Sequence, residues 1–105
     1  MLKNRGRIRE RKLDIHGAFV RRTDLSGASL RGANMAGADA SNAILRNADF
    51  EGALLQGTIL RGADLTGAKN LTVEQLSAAI IDDHTILPNY IDRAKLHPVR
   101  ADEPA

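Results

Sequence analysis

The chain has 105 residues and a mass of 11.3 kDa, which limits it to one domain with a small core. It contains no cysteine, so disulfides and thiolate metal sites are excluded. The formal net charge of +2 conceals a basic segment, residues 1–12, in which six lysines and arginines stand against one glutamate. No apolar run approaches the roughly 18 residues of a membrane span, so we expect a cytoplasmic protein.

The basic arm, residues 1–12, reads MLKNRGRIRERK and is the first predicted element. It lacks the apolar stretch of a secretory signal. Leu2 and Ile8 are the only large apolar side chains in residues 2–12, so the arm can cover little of a core. Two hypotheses stay open: a disordered or loosely docked terminus, or a segment that attaches electrostatically to nucleic acid or another anionic surface.

Residues 13–67 repeat every five positions, in eleven units that begin at Leu13 and end at Gly67. The first position of a unit is Ala or Thr in all but the first unit. The fifth is Gly or Asn in all but the second, which has Arg22. The third position is apolar in every unit, and these residues form the predicted core: Ile15, Val20, Leu25, Leu30, Met35, Ala40, Leu45, Phe50, Leu55, Leu60 and Leu65.

A period of five fits neither regular structure. Five residues advance an α-helix by about 500°, so successive third positions would wander around it. A straight strand would turn alternate units to opposite faces. A bend at each fifth residue resolves the conflict, because Gly and Asn tolerate the dihedral angles of a corner. The first and third positions then point inward, and the second and fourth point outward. The pattern predicts a coil whose turns stack about 4.8 Å apart.

These units resemble the pentapeptide-repeat family, whose motif is A-(D/N)-L-x-x. The resemblance implies an all-β solenoid, a right-handed quadrilateral β-helix with four units in each coil. Eleven units would then make about 2.75 coils, within a repeat region at residues 13–70. In the coil from Met35 to Phe50, the smallest core residue, Ala40, would lie opposite the largest, Phe50.

A cap is predicted after the repeats, at residues 71–97. Thr72 and Gln75 form a capping-box pattern, which predicts a helix over residues 72–81 that covers the last coil. An extended segment is expected to follow it. This ending resembles one common in bacterial pentapeptide-repeat proteins. Residues 98–105 contain two prolines and are predicted to be disordered.

No catalytic, cofactor or metal site is predicted. The three histidines, His16, His84 and His97, are far apart, and none has a second ligand at metal spacing. The glycines recur for corner geometry and form no phosphate-binding motif. We expect no enzyme activity and no cofactor, and the family resemblance implies the same. The aspartates at the second position of their units are expected to be structural: Asp14, Asp24, Asp39, Asp49 and Asp64.

Two sets of outward residues are candidates for binding. Five arginines project from the repeats: Arg21, Arg22, Arg31, Arg46 and Arg61. With four units to a coil, Arg21 and Arg61 share a face. They either form a basic stripe there or serve solubility beside neighbouring aspartates. Apolar residues replace Asp or Asn at four outward positions: Phe19, Ile44, Leu54 and Ile59. Phe19 and Ile59 share a face, and these residues are either covered by the C-terminal segment, scattered on the surface, or part of a partner surface.

The leading functional hypothesis is a non-catalytic scaffold or protein–protein interaction module with an unknown protein partner. One alternative is a DNA mimic that binds a topoisomerase such as gyrase, an activity that the resemblance implies for one branch of the family. The near-neutral repeats and outward arginines argue against it. A second alternative is binding to nucleic acid or an anionic surface through residues 1–12, although nucleic acid is the less favoured partner. Pairing of two copies through a coil end is a further possibility.

Overall fold

A computed structural model describes residues 13–96. The basic arm, residues 1–12, and the tail predicted to be disordered, residues 98–105, lie outside the described residues, as does His97. The fold is therefore given for the repeats and for most of the segment that follows them.

Corners recur at every fifth residue from Gly17 to Gly67. All eleven have a positive φ, between 56° and 74°. Eight are glycines, which enter this left-handed region without steric cost, and Asn42 and Asn47 are the next most tolerant type. Arg22 is the exception, with a φ of 56°. The corners therefore lie where the five-residue pattern predicts them.

Residues twenty positions apart pair in parallel. Asp14 bridges Asn34, Asn34 bridges Leu54, and the same offset holds for the other outward second positions up to Asp49 and Lys69. Beside the first bridge, the amide of Ile15 donates to the carbonyl of Asn34 at 2.9 Å. The chain thus completes one turn in four units: coil 1 is residues 13–32, coil 2 is residues 33–52, and coil 3 begins at residue 53. Residues 13–96 contain only isolated bridges and no continuous strand, because the corners interrupt each straight segment.

The core lies inside the coils and consists of the first and third positions. From Leu30 to Leu65 every third-position residue is at most 2 % exposed, and the first-position residues from Ala33 to Ala68 are buried as well. Phe50 and Ala40 are both fully buried in coil 2. Ile15, Val20 and Leu25 in coil 1 are only half-buried, since coil 1 is the first of the stacked coils within residues 13–96.

Helix α1, Val73–Ala78, follows the repeats and is shorter than predicted. Thr72 caps it, and the Thr72 and Gln75 side chains each accept a hydrogen bond from the other residue's backbone amide. The predicted helix over residues 72–81 is wrong at its C-terminal end because Ile80 leaves the helix to bridge Ile59. That pairing satisfies the amide of Leu60, which donates to the carbonyl of Ile80 at 2.7 Å.

The segment after α1 continues along the edge of coil 3. Ile86 bridges Asp64, and the buried hydroxyl of Thr85 donates to the carbonyl of Leu60 at 2.8 Å. A short 3₁₀ helix, Arg93–Lys95, comes next, and Leu96 is buried after it. Ile80 and Ile86 therefore supply backbone hydrogen-bond partners to coil 3.

Replacing Phe50 with Ala is expected to lower the free energy of unfolding by about 3–5 kcal/mol, because it removes the largest buried side chain and leaves a cavity in a closely packed interior. Urea denaturation followed by circular dichroism measures the change. The matched control is Phe19→Ala, which removes a phenyl ring that is 82 % exposed and should leave the unfolding midpoint nearly unchanged. Equal effects of the two substitutions would contradict this packing.

Candidate interaction surface

The outward positions form flat faces, each made of units twenty residues apart. Face 2 consists of residues 18–22, 38–42 and 58–62. It contains five of the nine outward residues that the sequence singled out as candidates for binding: Phe19, Arg21, Arg22, Ile59 and Arg61. Arg31 and Arg46 belong to units on two other faces, residues 28–32 and 43–47. The structure therefore groups most of these candidates but not all of them.

Aspartates of the next coil pair with three of the outward arginines. The Nε atom of Arg21 lies 3.7 Å from a carboxylate oxygen of Asp39, and Arg46 lies at the same distance from Asp64. In each pair the arginine is at the fourth position of its unit and the aspartate is at the second position eighteen residues later. This offset places the two side chains on one face in adjacent coils. Solvated aspartate partners for the arginines were among the expectations from the sequence, and the eighteen-residue offset that pairs them is itself visible in the repeat.

Asp39 divides the stripe that Arg21 and Arg61 would otherwise form on face 2. The hydroxyl of Ser41 donates to the Asp39 carboxylate at 2.6 Å. This bond is the main cause that lowers the pKa of Asp39, and the charges of Arg21 and Arg61 lower it further against the effect of desolvation. Asp39 is thus a carboxylate at neutral pH, and face 2 is a mixed surface rather than a purely basic one.

The net charge of face 2 nevertheless remains positive. Its charged side chains are the three arginines and Asp39, so it carries two excess positive charges. Within residues 13–96, neither Arg22 nor Arg61 has a carboxylate within 4 Å. These two guanidinium groups keep hydrogen-bond donors for an incoming acidic group.

Phe19 and Ile59 give face 2 its apolar character. The Phe19 side chain is 82 % exposed, while Ile59 is half-buried beside Ile80 in the ladder. The outward Ile44 and Leu54 lie on other faces and are 37 % and 46 % exposed. Of these four residues, Ile59 is the one that the described C-terminal segment pairs with in the ladder.

The second-position aspartates have a structural role. Asp14, Asp24, Asp39, Asp49 and Asp64 each accept a hydrogen bond from the backbone amide two residues later, at 3.0–3.3 Å. Asn34 makes the same bond. This local turn is typical of Asp and Asn and precedes each corner. The turn accounts for Asp and Asn at the second positions, and no catalytic role is needed to explain them.

The histidines in the described region do not form a metal site. His16 contacts Asp14 at 2.7 Å, and this hydrogen bond raises the pKa of the His16 imidazole. His84 lies elsewhere, on the segment after α1. No group of three or more potential ligands that could hold a metal ion occurs among residues 13–96. Within the same residues, none of the helices has the length and apolar character needed to cross a bilayer.

Asp49 is at the centre of an ionic cluster with Arg31 and Glu51 on the described surface. Arg31 donates to the Asp49 carboxylate at 2.9 Å and lies equally close to Glu51. The Asn70 amide also donates to Asp49 at 2.9 Å. These hydrogen bonds, with the one from Asn70 the largest cause, lower the pKa of Asp49 from its ordinary 3.8 to about 2.

A family model matches the repeat region. The model described as "Pentapeptide repeats" matches residues 13–47 and 33–69, with eight copies of the repeat. Together these two ranges span more than half of the chain. No curated protein sequence matches the chain significantly.

Several solved structures are similar to this chain. A pentapeptide-repeat protein from the cyanobacterium Cyanothece 51142 is 31 % identical, with a TM-score of 0.64 over 73 % of this chain and 52 % of its own. The chain therefore spans about half the length of that protein. A pentapeptide-repeat protein from Nostoc PCC 7120 is 26 % identical, with a TM-score of 0.33 over 85 % of each chain. One from the thylakoid lumen of Arabidopsis thaliana is 24 % identical, with a TM-score of 0.27 over 72 % of this chain and 55 % of its own.

The contribution of Asp49 to stability is expected to depend on pH. Its folded-state pKa of about 2 lies below the ordinary 3.8, so the ionised form is favoured by folding. The stabilisation is complete above the unfolded value and is lost as the pH falls from about 4 towards 2. We expect Asp49→Asn to lower the melting temperature at pH 7 and to have little effect at pH 2, as measured by thermal denaturation at both pH values.

Asp83→Asn is the control, because the exposed Asp83 side chain forms no hydrogen bond or ion pair with the residues of the described region. It should have a negligible effect at either pH. An Asp49→Asn effect of the same size at pH 7 and pH 2 would show that the carboxylate charge is not the stabilising feature.

Proposed function

The chain belongs to the pentapeptide-repeat family, and on that premise we propose that it is a non-catalytic interaction module that binds a protein partner through face 2. The observation that carries this proposal is the combination of an 82 % exposed aromatic side chain with two guanidinium groups that have no carboxylate within 4 Å among residues 13–96, all on one flat face. Aromatic residues and arginine are the types enriched where proteins bind each other.

We also propose the finer architecture that family membership implies. Residues 13–67 would form a right-handed quadrilateral β-helix of about 2.75 coils, with α1 as its C-terminal cap. The twenty-residue spacing of the bridges supports four units in each coil. The two hydrogen bonds from the Gln75 amide to the carbonyls of Phe50 and Ala53, both 2.9 Å, support α1 as the cap.

The chemistry of face 2 indicates the kind of partner. Two excess positive charges favour an acidic protein surface, and the Phe19 ring favours an apolar pocket next to that surface. The mixture of charge and apolar area differs from the basic, polar surfaces that bind nucleic acid. A folded protein with an acidic rim around an apolar depression fits face 2 best.

The DNA-mimic alternative is less well supported by the same contacts. A mimic of duplex DNA needs a dense row of uncompensated negative charge. Asp39, Asp49 and Asp64 instead each lie within 4 Å of an arginine. The outward carboxylates of the repeats are therefore largely neutralised.

Photo-crosslinking tests the proposal. A benzophenone amino acid replaces Phe19 in one variant and Gln56, an exposed residue outside face 2, in a matched control. Both tagged proteins are expressed in the source organism and irradiated. We expect one protein to be captured from position 19 at a yield well above that from position 56, and Arg61→Glu to reduce that capture at least about tenfold by reversing a charge at the interface.

Circular dichroism on each variant confirms that the fold persists. Capture of the same proteins from positions 19 and 56, or capture that Arg61→Glu leaves unchanged, would overturn face 2 as the binding surface. Capture of DNA gyrase from both positions would favour the DNA-mimic alternative.

A further inference from the structure

The end of coil 1 that faces away from coil 2 presents backbone hydrogen-bonding groups. In coil 2, the second-position residue Asn34 turns both of its groups towards coil 1: its amide donates to the carbonyl of Leu13 at 2.8 Å, and its carbonyl accepts from the amide of Ile15 at 2.9 Å. The other second-position residues of coil 2 make the same two bonds: Asp39, Ile44 and Asp49. By the same repeat geometry, the second-position residues of coil 1 turn their amides and carbonyls away from coil 2.

These groups have no partner within residues 13–96. In that range no hydrogen bond reaches the backbone amide or carbonyl of the four second-position residues of coil 1: Asp14, Phe19, Asp24 and Ser29. The apolar interior under this edge is also incompletely covered, since Leu25 is half-buried while its counterpart in coil 2, Leu45, is fully buried. Coil 1 therefore ends in an edge that can accept another layer of backbone.

Neither the preceding sequence nor the far end of the stack is suited to supply that layer. Counted back in units of five from the first repeat, the third positions in residues 1–12 would be Glu10 and Arg5, and a charged side chain inside the tube would cost free energy. At the far end, the amide of Leu60 in coil 3 already donates to the carbonyl of Ile80. A head-to-tail stack of copies would have to displace such bonds.

A second copy turned by a two-fold axis complements the coil 1 edge. The rotation sets coil 1 of one copy against coil 1 of the other with their backbones antiparallel. Two residues that face each other in an antiparallel ladder can exchange both N–H···O bonds, so a residue with its amide and carbonyl on the same side pairs with another of the same kind. The third-position side chains of the two copies would then cover each other and leave water.

We propose that the protein forms a closed two-fold dimer through its coil 1 ends, in which the hydrogen-bonded ladder continues from one copy into the other. The contact is isologous, because each copy contributes the same edge, and the assembly therefore stops at two copies. The second-position side chains point outward around the junction, so they do not stand between the two backbones. This inference does not rest on the proposed function of face 2.

A substitution at Ser29 tests the pairing. Ser29→Pro removes an amide that donates to nothing within residues 13–96, so it should block the ladder at this edge without breaking a bond between coils. Ser29→Ala keeps the amide and is the matched control. In sedimentation equilibrium of the full-length protein, we expect the unmodified chain and Ser29→Ala to form dimers, and Ser29→Pro to raise the dissociation constant at least about tenfold. Salt at about 0.3 M screens the repulsion between the two segments of residues 1–12.

Pulsed electron paramagnetic resonance tests which end forms the contact, and the absence of native cysteine makes the spin label specific. Ser26→Cys and Thr66→Cys are matched positions, because each hydroxyl donates to the aspartate two residues earlier and the two residues lie on one face. Residue 66 is two coils farther from the junction, about 10 Å in each copy. We therefore expect a shorter distance between the two labels of a dimer at residue 26 than at residue 66.

Circular dichroism verifies that every variant keeps the fold, and the label distances decide the question if Ser29→Pro does not. A monomeric mass of the unmodified chain throughout a concentration series would overturn the dimer. A shorter distance at residue 66 would place the contact at the other end and refute the coil 1 junction. A dimer of unchanged affinity in a folded Ser29→Pro variant would show that the backbone edge is not what pairs.

Discussion

The left-handed corner at every fifth residue is the constraint on which the rest of the structure depends. Each corner ends a straight segment after four residues, before the side-chain alternation of a strand can turn the next unit outward. With eleven such corners, every third-position side chain returns to the interior, and residues twenty positions apart come into register. The backbone amides and carbonyls then find partners in the adjacent coil, which is how a chain with few large side chains satisfies its buried polar groups.

Within each five-residue unit, the position of a residue decides whether its side chain lies in the interior or on the surface. First and third positions fill the core, so their choice is limited by volume. Second positions are limited by the local hydrogen bond that Asp and Asn make to the amide two residues later. The fourth position points outward and supports neither the core nor the corner. Arginines occur there, and three of them pair with second-position aspartates of the next coil.

The sequence predicts the periodic part of the fold well because the rule is local. The corners, the inward positions and the N-terminal cap of α1 at Thr72 all follow from residues within one or two units. The end of α1 does not, because Ile80 leaves the helix to pair with Ile59, twenty-one residues earlier. Likewise, the capping box predicts only the local contact of Gln75 with Thr72, yet the Gln75 side chain also donates to the carbonyls of Phe50 in coil 2 and Ala53 in coil 3. Contacts of this kind depend on where coil 3 ends in space, and no local pattern encodes that.

The apolar second positions connect the geometry to function. Phe19, Ile44, Leu54 and Ile59 cannot accept the hydrogen bond that Asp or Asn makes there, so each gives up a local stabilising interaction. At Ile59 the pairing with Ile80 and partial burial compensate for the loss. Phe19 and Leu54 gain no such burial from the described chain, being 82 % and 46 % exposed. Because an exposed apolar side chain gains free energy only when something covers it, these two residues are where binding would be most favourable. Phe19 faces outward on face 2, where a bound partner would supply that cover, and Leu54 lies beside α1.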